Sequence, residues 1–223
     1  MCNLTNEQML RYFIFKDCGF DEEIAKKSYD FVIGNKPEPQ PENRPATELA
    51  DGIYLVYGKL PVAYKGQELS ENEKNGCTGI GVKFGGKSLV LTLFDIGDDD
   101  RTLTTQKGGT RFITNYHQAA EDMDGKAATD DIRDILNMGI ADEEYIPSLG
   151  ELYFILAHFT QINAALEAVG GEPLRNDWYW SSTQYSATYA WYLLLSYGTA
   201  NFITKATHQL RVRPVSAFLP LNS

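Results

Sequence analysis

The order of strand-like and helical segments limits the fold of this chain more than any other feature. From Asp51 onward, β-rich runs such as GIYLVYG and SLVLTLFDIG are separated by turns that contain glycine. Helical signals follow from Thr114, and the clearest is Ser148 with Glu151, which have capping-box spacing ahead of LYFILAHF. Strand-like sequence returns at HQLRVRPVSAF, near the C-terminus. Strands that flank a helical middle predict an α+β fold rather than a series of βαβ units.

The segment before Asp51 has a different character. Residues 1–34 carry two apolar stripes at helical spacing, the first formed by Met9, Leu10 and Phe13. The stretch NKPEPQPENRP then holds four of the nine prolines and no apolar periodicity, which predicts an extended linker. We therefore expect a helical pair over 1–34, a Pro-rich linker over 35–50 and one domain over 51–223. Two short helices cannot bury their stripes alone, so the pair either joins another copy or a particle partner, or caps the main domain.

Charge and cysteine content argue against several classes of function. A net charge of −10 and a pI of about 4.8 leave no basic surface for phosphate backbones, so we expect no nucleic-acid partner. No apolar run reaches the roughly 20 residues that span a bilayer, so we expect no membrane span. The N-terminus lacks the order of a signal peptide, which predicts synthesis in the cytoplasm; a lipidated Cys2 behind a removed leader is the alternative. The three cysteines and three histidines show no metal-ligand spacing, so we expect reduced thiols, no metal and no cofactor.

One motif matches the phosphate-binding loop of nucleotide hydrolases. The residues from Gly81 to Ser88, GVKFGGKS, fit the pattern G-x-x-x-x-G-K-[ST]. That loop requires a helix after it, so that the helix N-terminus faces the phosphates. The following LVLTLFDI has no helical polar face, and a β-hairpin turn at Gly85 and Gly86 explains the glycines better. A nucleotide-binding protein or enzyme that uses this segment remains an alternative.

Other motifs for metal binding or catalysis are weak. The acidic run from Asp95 to Asp100 lacks the alternating oxygen ligands of a calcium loop, which predicts a solvated acidic loop. The chain contains no G-x-S-x-G, and no cysteine–histidine pair follows from the spacing. We therefore expect a protein that is not an enzyme.

The aromatic stretch from Trp178 to Gly198 is the most unusual in composition. It holds all three tryptophans and five of the 13 tyrosines, mixed with serine and threonine. Alternation predicts a strand that buries Trp191, Leu193 and Leu195, with the flanks SSTQYSATY and SYGTANF as loops. Tyrosine and tryptophan supply rigid contact area, while small polar residues adapt to a ligand. The mixture is typical of a binding surface.

Six segments resemble a known family. DMDGKAATDDI (122–132), YIPSLGELYFI (145–155), INAALEAVGG, YWSST, AWYL and VRPV stand in the order found in C-type lectin-like domains related to formylglycine-generating enzyme. This group includes the variable proteins of diversity-generating retroelements from bacteria and phages. The resemblance covers about residues 51–218 and implies a C-type lectin-like fold, with small twisted antiparallel sheets, two main helices and long loops. It also implies a variable region over about 176–210.

The resemblance divides the residues near the C-terminus into two sets. The implied scaffold is Trp180, Ser181, Ser182, Thr183, Ala190, Trp191, Arg213 and Pro214. The implied ligand-binding positions on a hypervariable face are Tyr179, Gln184, Tyr185, Tyr189, Tyr192, Leu194, Ser196, Tyr197, Asn201, Phe202, Thr204, Thr207 and His208.

The resemblance implies recognition rather than catalysis. The expected partner is an unknown target, which would be a protein or glycan on a cell surface. The chain itself would be displayed on a phage particle or bacterial surface. The calcium-binding signatures of sugar-binding lectins are missing, and every cysteine lies at or before Cys77, so the chemistry of the enzyme relatives is not implied. A purely structural component of a virion or pilus is the remaining alternative.

Overall fold

The computed structural model describes residues 49–97 and 100–218. The chain divides into two units, Met1–Thr47 and Glu48–Ser223, and the described residues belong to the second. The helical pair expected over 1–34 and most of the linker expected over 35–50 lie outside the described residues.

A six-stranded antiparallel sheet forms one side of the domain. Its strand order is β2-β1-β3-β4-β9-β5. Its strands are β1 (Gly52–Tyr57), β2 (Leu60–Tyr64), β3 (Gly79–Phe84), β4 (Lys87–Leu91), β5 (Glu144–Tyr145) and β9 (Val215–Ser216). The strand formed by Val215 and Ser216 thus pairs with β4, which belongs to the first half of the domain.

The segment that resembles a phosphate loop is a β-hairpin. Strands β3 and β4 pair directly on either side of Gly85 and Gly86, whose φ angles are 57° and 79°. Two consecutive positive φ angles are what a two-residue hairpin turn requires, and glycine adopts them without strain. The predicted hairpin is therefore confirmed, and a strand stands where a phosphate loop needs a helix.

Five α-helices and one short 3₁₀ segment occur in the described residues. They are α1 (Glu71–Gly76), α2 (Tyr116–Glu121), α3 (Gly125–Asp130), the 3₁₀ segment Arg133–Ile135, α4 (Leu149–Ala157) and α5 (Phe159–Ala168). Helix α4 begins at the predicted capping box, in which Ser148 accepts from the Glu151 N–H and Glu151 accepts from the Ser148 N–H. Helix α5 follows it directly and ends before Gly170, where φ is 75°.

A second, three-stranded antiparallel sheet completes the domain. It is a meander of β6 (Trp178–Gln184), β7 (Tyr189–Leu194) and β8 (Thr199–Thr204). The flanks expected to be loops are partly strand, because β6 includes the SSTQ segment and β8 includes TANF. Two antiparallel sheets with helices between them in sequence confirm the α+β class.

The hydrophobic core lies between the two sheets and the long helices. Inward residues of the large sheet, such as Leu55 and Ile80, share one cluster with Leu152 of α4 and with Trp191 and Leu193 of β7. A smaller cluster surrounds Trp180 on the other face of the second sheet and includes Leu103, Ile132, Ile146, Ala190 and Val212. Strands β6 and β7 are thus packed on both faces, whereas the edge strand β8 and the ends of β7 contact solvent.

Candidate ligand-binding surface

The two tryptophans at the centre of the aromatic stretch lie in the interior. The Trp180 indole is fully buried and donates its N–H to the Arg101 carbonyl at 2.7 Å. The Trp191 indole is almost fully buried and donates to the Ile113 carbonyl, also at 2.7 Å. Each ring contributes a large buried apolar area and satisfies its only donor. Both therefore act as scaffold in this structure.

The serines and threonine that follow Trp180 are also interior. The Ser181 hydroxyl donates to the Trp191 carbonyl at 2.8 Å, and that of Ser182 donates to the Gly125 carbonyl at 3.2 Å. Thr183 Oγ1 donates to the Asp122 carboxylate at 2.8 Å. Buried hydroxyls need such partners, and distant parts of the chain supply them. This is why a polar run forms a buried strand.

Arg213 occupies a buried ion pair beneath β6. Its guanidinium donates to the Asp95 carboxylate at 2.5 Å, to the Thr92 carbonyl at 3.1 Å and to the Glu172 carbonyl at 2.9 Å. Pro214 is buried beside it. Asp95 is likewise buried, which corrects the expectation that the whole run from Asp95 to Asp100 is a solvated loop. The cause is the arginine, because a carboxylate enters the interior only with a partner for its charge.

Tyr179 does not belong to a displayed face. Its ring is fully buried, and its hydroxyl donates to Asp95 at 3.1 Å while accepting from the Arg175 N–H at 3.1 Å. Burial, together with the nearby negative charge of Asp95, raises the pKa of Tyr179 well above its usual value. Strand β6 is covered on both faces, so Tyr179 is interior like its neighbour Trp180, and its expected role in ligand contact is corrected.

Gln184 is the second expected contact residue that the structure places inside. Its side chain is fully buried at the end of β6, where the amide nitrogen donates to Asp131 at 2.8 Å and the carbonyl oxygen accepts from the Lys205 ammonium. Polar character alone predicts exposure for such a residue. Here the partners come from α3 and from the end of β8, which sequence spacing does not reveal.

An aromatic patch forms where β7 and β8 meet the loop before α2. We define it as Tyr116, Tyr185, Tyr189, Trp191 and Phe202. Tyr185 stacks on Phe202 with ring centroids 3.8 Å apart, and Tyr189 meets Phe202 edge-on at 5.9 Å. Trp191 lies beneath, 5.8 Å from Tyr185 and 6.1 Å from Tyr116. Tyr116 and Tyr189 are 43% and 38% exposed, so the patch offers rings to solvent on a buried indole base.

Two members of this region were not found by sequence reasoning. Tyr116 lies at the start of α2, and its hydroxyl is 2.8 Å from that of Tyr153. Phe112, 45% exposed, forms an isolated parallel bridge with Gln184, the residue before Tyr185. The only sign of Tyr116 or Phe112 in the sequence is an aromatic residue within a polar stretch. Such residues are common on protein surfaces and do not by themselves indicate a binding site.

The other face of the second sheet presents a different set of side chains. Tyr192 packs edge-on against Trp178 with centroids 4.9 Å apart, and Leu194 and Asn201 lie on the same face. Burial raises the pKa of Tyr192 above its usual value. Side chains alternate between faces along a strand. The expected ligand-binding residues therefore divide between two faces instead of forming one.

The remaining expected residues lie at the two ends of β8. Ser196 and Tyr197 are in the turn before it, where Tyr197 is 84% exposed. Tyr153 supports this turn by donating to the Gly198 carbonyl at 3.0 Å. At the far end, Thr204 Oγ1 lies 2.6 Å from His208 Nδ1 and also hydrogen-bonds Thr207. The displayed side chains thus extend along the strand rather than converging on a cleft.

The exposed side chains of β7 and β8 are uncharged, although the protein as a whole is acidic. All 30 acidic residues precede Trp178, and the last is Asp177. The three cations after it are engaged, with Lys205 buried and Arg211 and Arg213 paired with Asp95. Rings, hydroxyls and amides therefore provide the contacts that β7 and β8 offer.

Neither a cavity nor a metal site marks this surface in the described part of the chain. A cavity of about 620 Å³ borders the large sheet near Val56, Val90 and Phe218, and its lining includes none of the expected ligand-binding residues. Within residues 49–97 and 100–218, no three His, Cys, Asp or Glu side chains are placed to hold a metal. The helices described in this range are all too short or too polar to cross a bilayer.

Comparisons of the chain with protein-family models, with curated proteins and with solved structures found no match.

Proposed function

We propose that this protein recognises a target without catalysing a reaction, through exposed side chains of β7, β8 and the turn between them. One observation supports this most. Along the same short segment, framework residues such as Trp180 and Ser181 are buried with their polar atoms bonded, while Tyr189 and Tyr197 extend into solvent. A rigid base with protruding tyrosines is the arrangement that recognition surfaces use.

We further propose that the domain is a C-type lectin-like variable protein of a diversity-generating retroelement, displayed on a phage particle or bacterial surface. The α+β architecture and the two antiparallel sheets are compatible with that fold. The six segments that resemble the family contain many of the buried contacts, including Asp122 with Thr183 and Ser148 with Glu151. In this proposal residues 1–34 join the domain to a partner or to another copy.

The proposal is tested by sequencing the region that encodes residues 176–215 in many clones of the source population, together with its flanking DNA. We expect a reverse-transcriptase gene and a near-copy of this region nearby. Substitutions should concentrate at exposed positions such as Tyr189, Tyr197 and Asn201 and at the half-buried Tyr185. Equal variation at Trp180 and Trp191, or no near-copy and no variation, would overturn the retroelement assignment.

Binding itself is tested separately with labelled protein and a panel of intact bacterial strains. We expect saturable adsorption to at least one strain, lost in a Tyr189→Ala, Tyr197→Ala double variant that remains folded. The matched control is Tyr64→Ala, at a half-buried tyrosine of β2 in the other sheet, which should keep adsorption. Adsorption that survives the double variant would assign recognition to a different surface.

A further inference from the structure

An amine, a carboxamide and a carboxylate share one enclosed site at the end of β6. The Lys205 ammonium donates to the side-chain carbonyl of Gln184 and, at 2.7 Å, to the Gly108 carbonyl. The Gln184 amide nitrogen donates to Asp131 Oδ2 at 2.8 Å. Both the lysine and the glutamine side chains are fully buried. None of the three belongs to the exposed surface described above.

The loop before α2 closes this site. Gly109 has φ of 88°, and a side chain at that position would collide with the Gln184 carboxamide, so the loop backbone lies directly against it. The next residues hold the carboxylate: Thr110 donates to Asp131 through its N–H at 2.6 Å and its hydroxyl at 2.5 Å, and the Arg111 N–H donates at 3.0 Å.

The electrostatics favour a reactive amine. Burial lowers the pKa of Lys205 to about 8, against the attraction of Asp131, so part of the lysine is neutral near pH 7. Burial opposes the charge of Asp131, but hydrogen bonds from Thr110, Arg111 and Gln184 outweigh it and lower the pKa of that carboxyl to about 2. The neutral fraction of Lys205 therefore stands beside a carboxamide whose nitrogen is held by an ionised carboxylate.

We propose that Lys205 and Gln184 form an intramolecular isopeptide bond. The neutral Lys205 Nζ attacks Cδ of Gln184, a C–N bond forms, and the bond from Cδ to Nε2 breaks. The proton shed by Nζ is transferred to the departing nitrogen, which leaves as ammonia. One amide replaces another, so no oxidant, reductant or cofactor is consumed.

Proximity is the driving feature of this reaction. Two well-oriented groups held in contact react as if at an effective concentration of about 10⁵ M or more. This effect offsets the low reactivity of a carboxamide. The ion pair of Lys126 with Asp130 provides a comparison with the buried site. Its two charged groups are 2.8 Å apart, and both side chains are about half exposed to solvent. Both of those side chains are open to solvent and are not enclosed together, so we expect no bond there.

The bond would close a loop around the proposed recognition surface. It joins the last residue of β6 to the residue after β8, and the segment between them carries Tyr185, Tyr189, Tyr197 and Phe202. Closing a loop removes conformational freedom from the unfolded chain and limits local opening of the folded one. The cross-link would therefore hold the displayed strands whatever side chains they carry. The inference rests on the buried site alone and does not depend on the proposed function.

Peptide mapping of the purified full chain tests the proposal. Between Arg175 and Lys205 there is no lysine or arginine, so trypsin acting on an unmodified, denatured chain releases residues 176–205. With the isopeptide bond, cleavage after Lys205 is blocked, and we expect residues 176–211 with a mass lower by about 17 Da, the loss of ammonia. Chymotrypsin should then cut within the loop and leave two peptides joined at Gln184 and Lys205.

Two variants serve as controls. Lys205→Arg keeps the positive charge but removes the reactive amine, so the mass loss should vanish. Lys107→Arg changes an exposed lysine in the adjoining loop and should leave the cross-linked peptide unchanged. The wild-type measurement decides the matter even where the Lys205 variant fails to fold.

Three results would overturn the proposal. The first is complete cleavage after Lys205 in folded wild-type protein that was denatured only for digestion. The second is a loss of about 18 Da with Lys205 joined to Asp131, which is condensation with a carboxyl group. The third is a loss of about 17 Da that fragmentation places at Asn176 or Asn201 within residues 176–211, where a succinimide gives the same mass change without a cross-link.

Discussion

At the scale of single residues, surroundings separate side chains of one type into different roles. Tyr179 and Tyr197 both lie in the aromatic stretch, yet the first is fully buried against Asp95 and the second is 84% exposed in a turn. Tyr192 is intermediate, because one side of its ring packs on Trp178. Removing an exposed ring costs contact area with a partner, whereas removing a buried ring leaves a cavity.

The first prediction compares Trp180 with Tyr197. Trp180→Ala should lower the free energy of unfolding by about 3–5 kcal/mol, because a large buried ring is lost together with a hydrogen bond. Tyr197→Ala should change it by less than about 0.5 kcal/mol. Urea denaturation followed by circular dichroism measures both. Equal costs for the two substitutions would contradict the assignment of scaffold and displayed residues.

The second prediction concerns the buried ion pair. Asp95→Asn leaves the Arg213 guanidinium without its counter-charge, and breaking a buried pair in this way costs about 3–5 kcal/mol. Asp100→Asn is the matched control, since Asp100 is exposed and lies 3.9 Å from Arg211. We expect that change to stay within about 1 kcal/mol in thermal or urea unfolding. A mild effect at Asp95 would mean that the pair contributes little.

At the scale of secondary-structure elements, helix α4 shows how a local motif becomes part of the core. Its capping box was predicted from Ser148 and Glu151, but the structure also buries Glu151 and adds a hydrogen bond from Tyr145 at 3.1 Å. Burial raises the pKa of Glu151 to about 7, against the hydrogen bonds from Ser148 and Tyr145. A cap that serves an exposed helix end would not be shifted in this way.

The third prediction follows from that shift. The pKa of Glu151 in the folded state lies above the ordinary value of 4.5, so its protonated form stabilises the fold. This contribution is complete below pH 4.5 and is lost as the pH rises through about 7. The unfolding free energy of the wild-type protein should therefore decline between pH 5 and pH 8. In Glu151→Gln that decline should be smaller by about 1–3 kcal/mol. Parallel declines in both proteins would show that Glu151 does not titrate in that range.

At the scale of the whole molecule, charge is distributed unevenly. Every acidic residue precedes Trp178, and the net charge is −10, so the exposed side chains of β7 and β8 are uncharged on an acidic body. Exposed rings bind through area and packing, which salt screens very little. The acidic remainder would repel acidic partners at long range.

The fourth prediction is that adsorption to a bound strain depends weakly on salt. Raising sodium chloride from 50 to 500 mM should change the apparent Kd by less than about tenfold, because few ion pairs form at this surface. The measurement is a titration of labelled protein on the strain identified by adsorption. A steep loss of binding with salt would place recognition on the charged part of the molecule.

Local patterns were enough to predict the class of fold and several of its parts. The α+β order, the hairpin at Gly85 and Gly86, and the capping box at Ser148 each depend on neighbours in sequence, and each is present. The lectin-like fold and the target remain proposals. The predicted contact surface also remains a proposal, and the structure removes Tyr179 and Gln184 from it because both side chains are buried.

The sequence by itself determined the elements, their order and the concentration of aromatic residues near the C-terminus, because these depend on local periodicity and composition. Only the tertiary structure decided which face of each strand is buried. Side chains alternate between the two faces of a strand, and this alternation does not tell which face is buried. Packing against α4 and the large sheet decides which face is interior. Likewise, Asp95 and Gln184 are interior because Arg213 and Lys205, far away in sequence, supply the partners that their polar groups require.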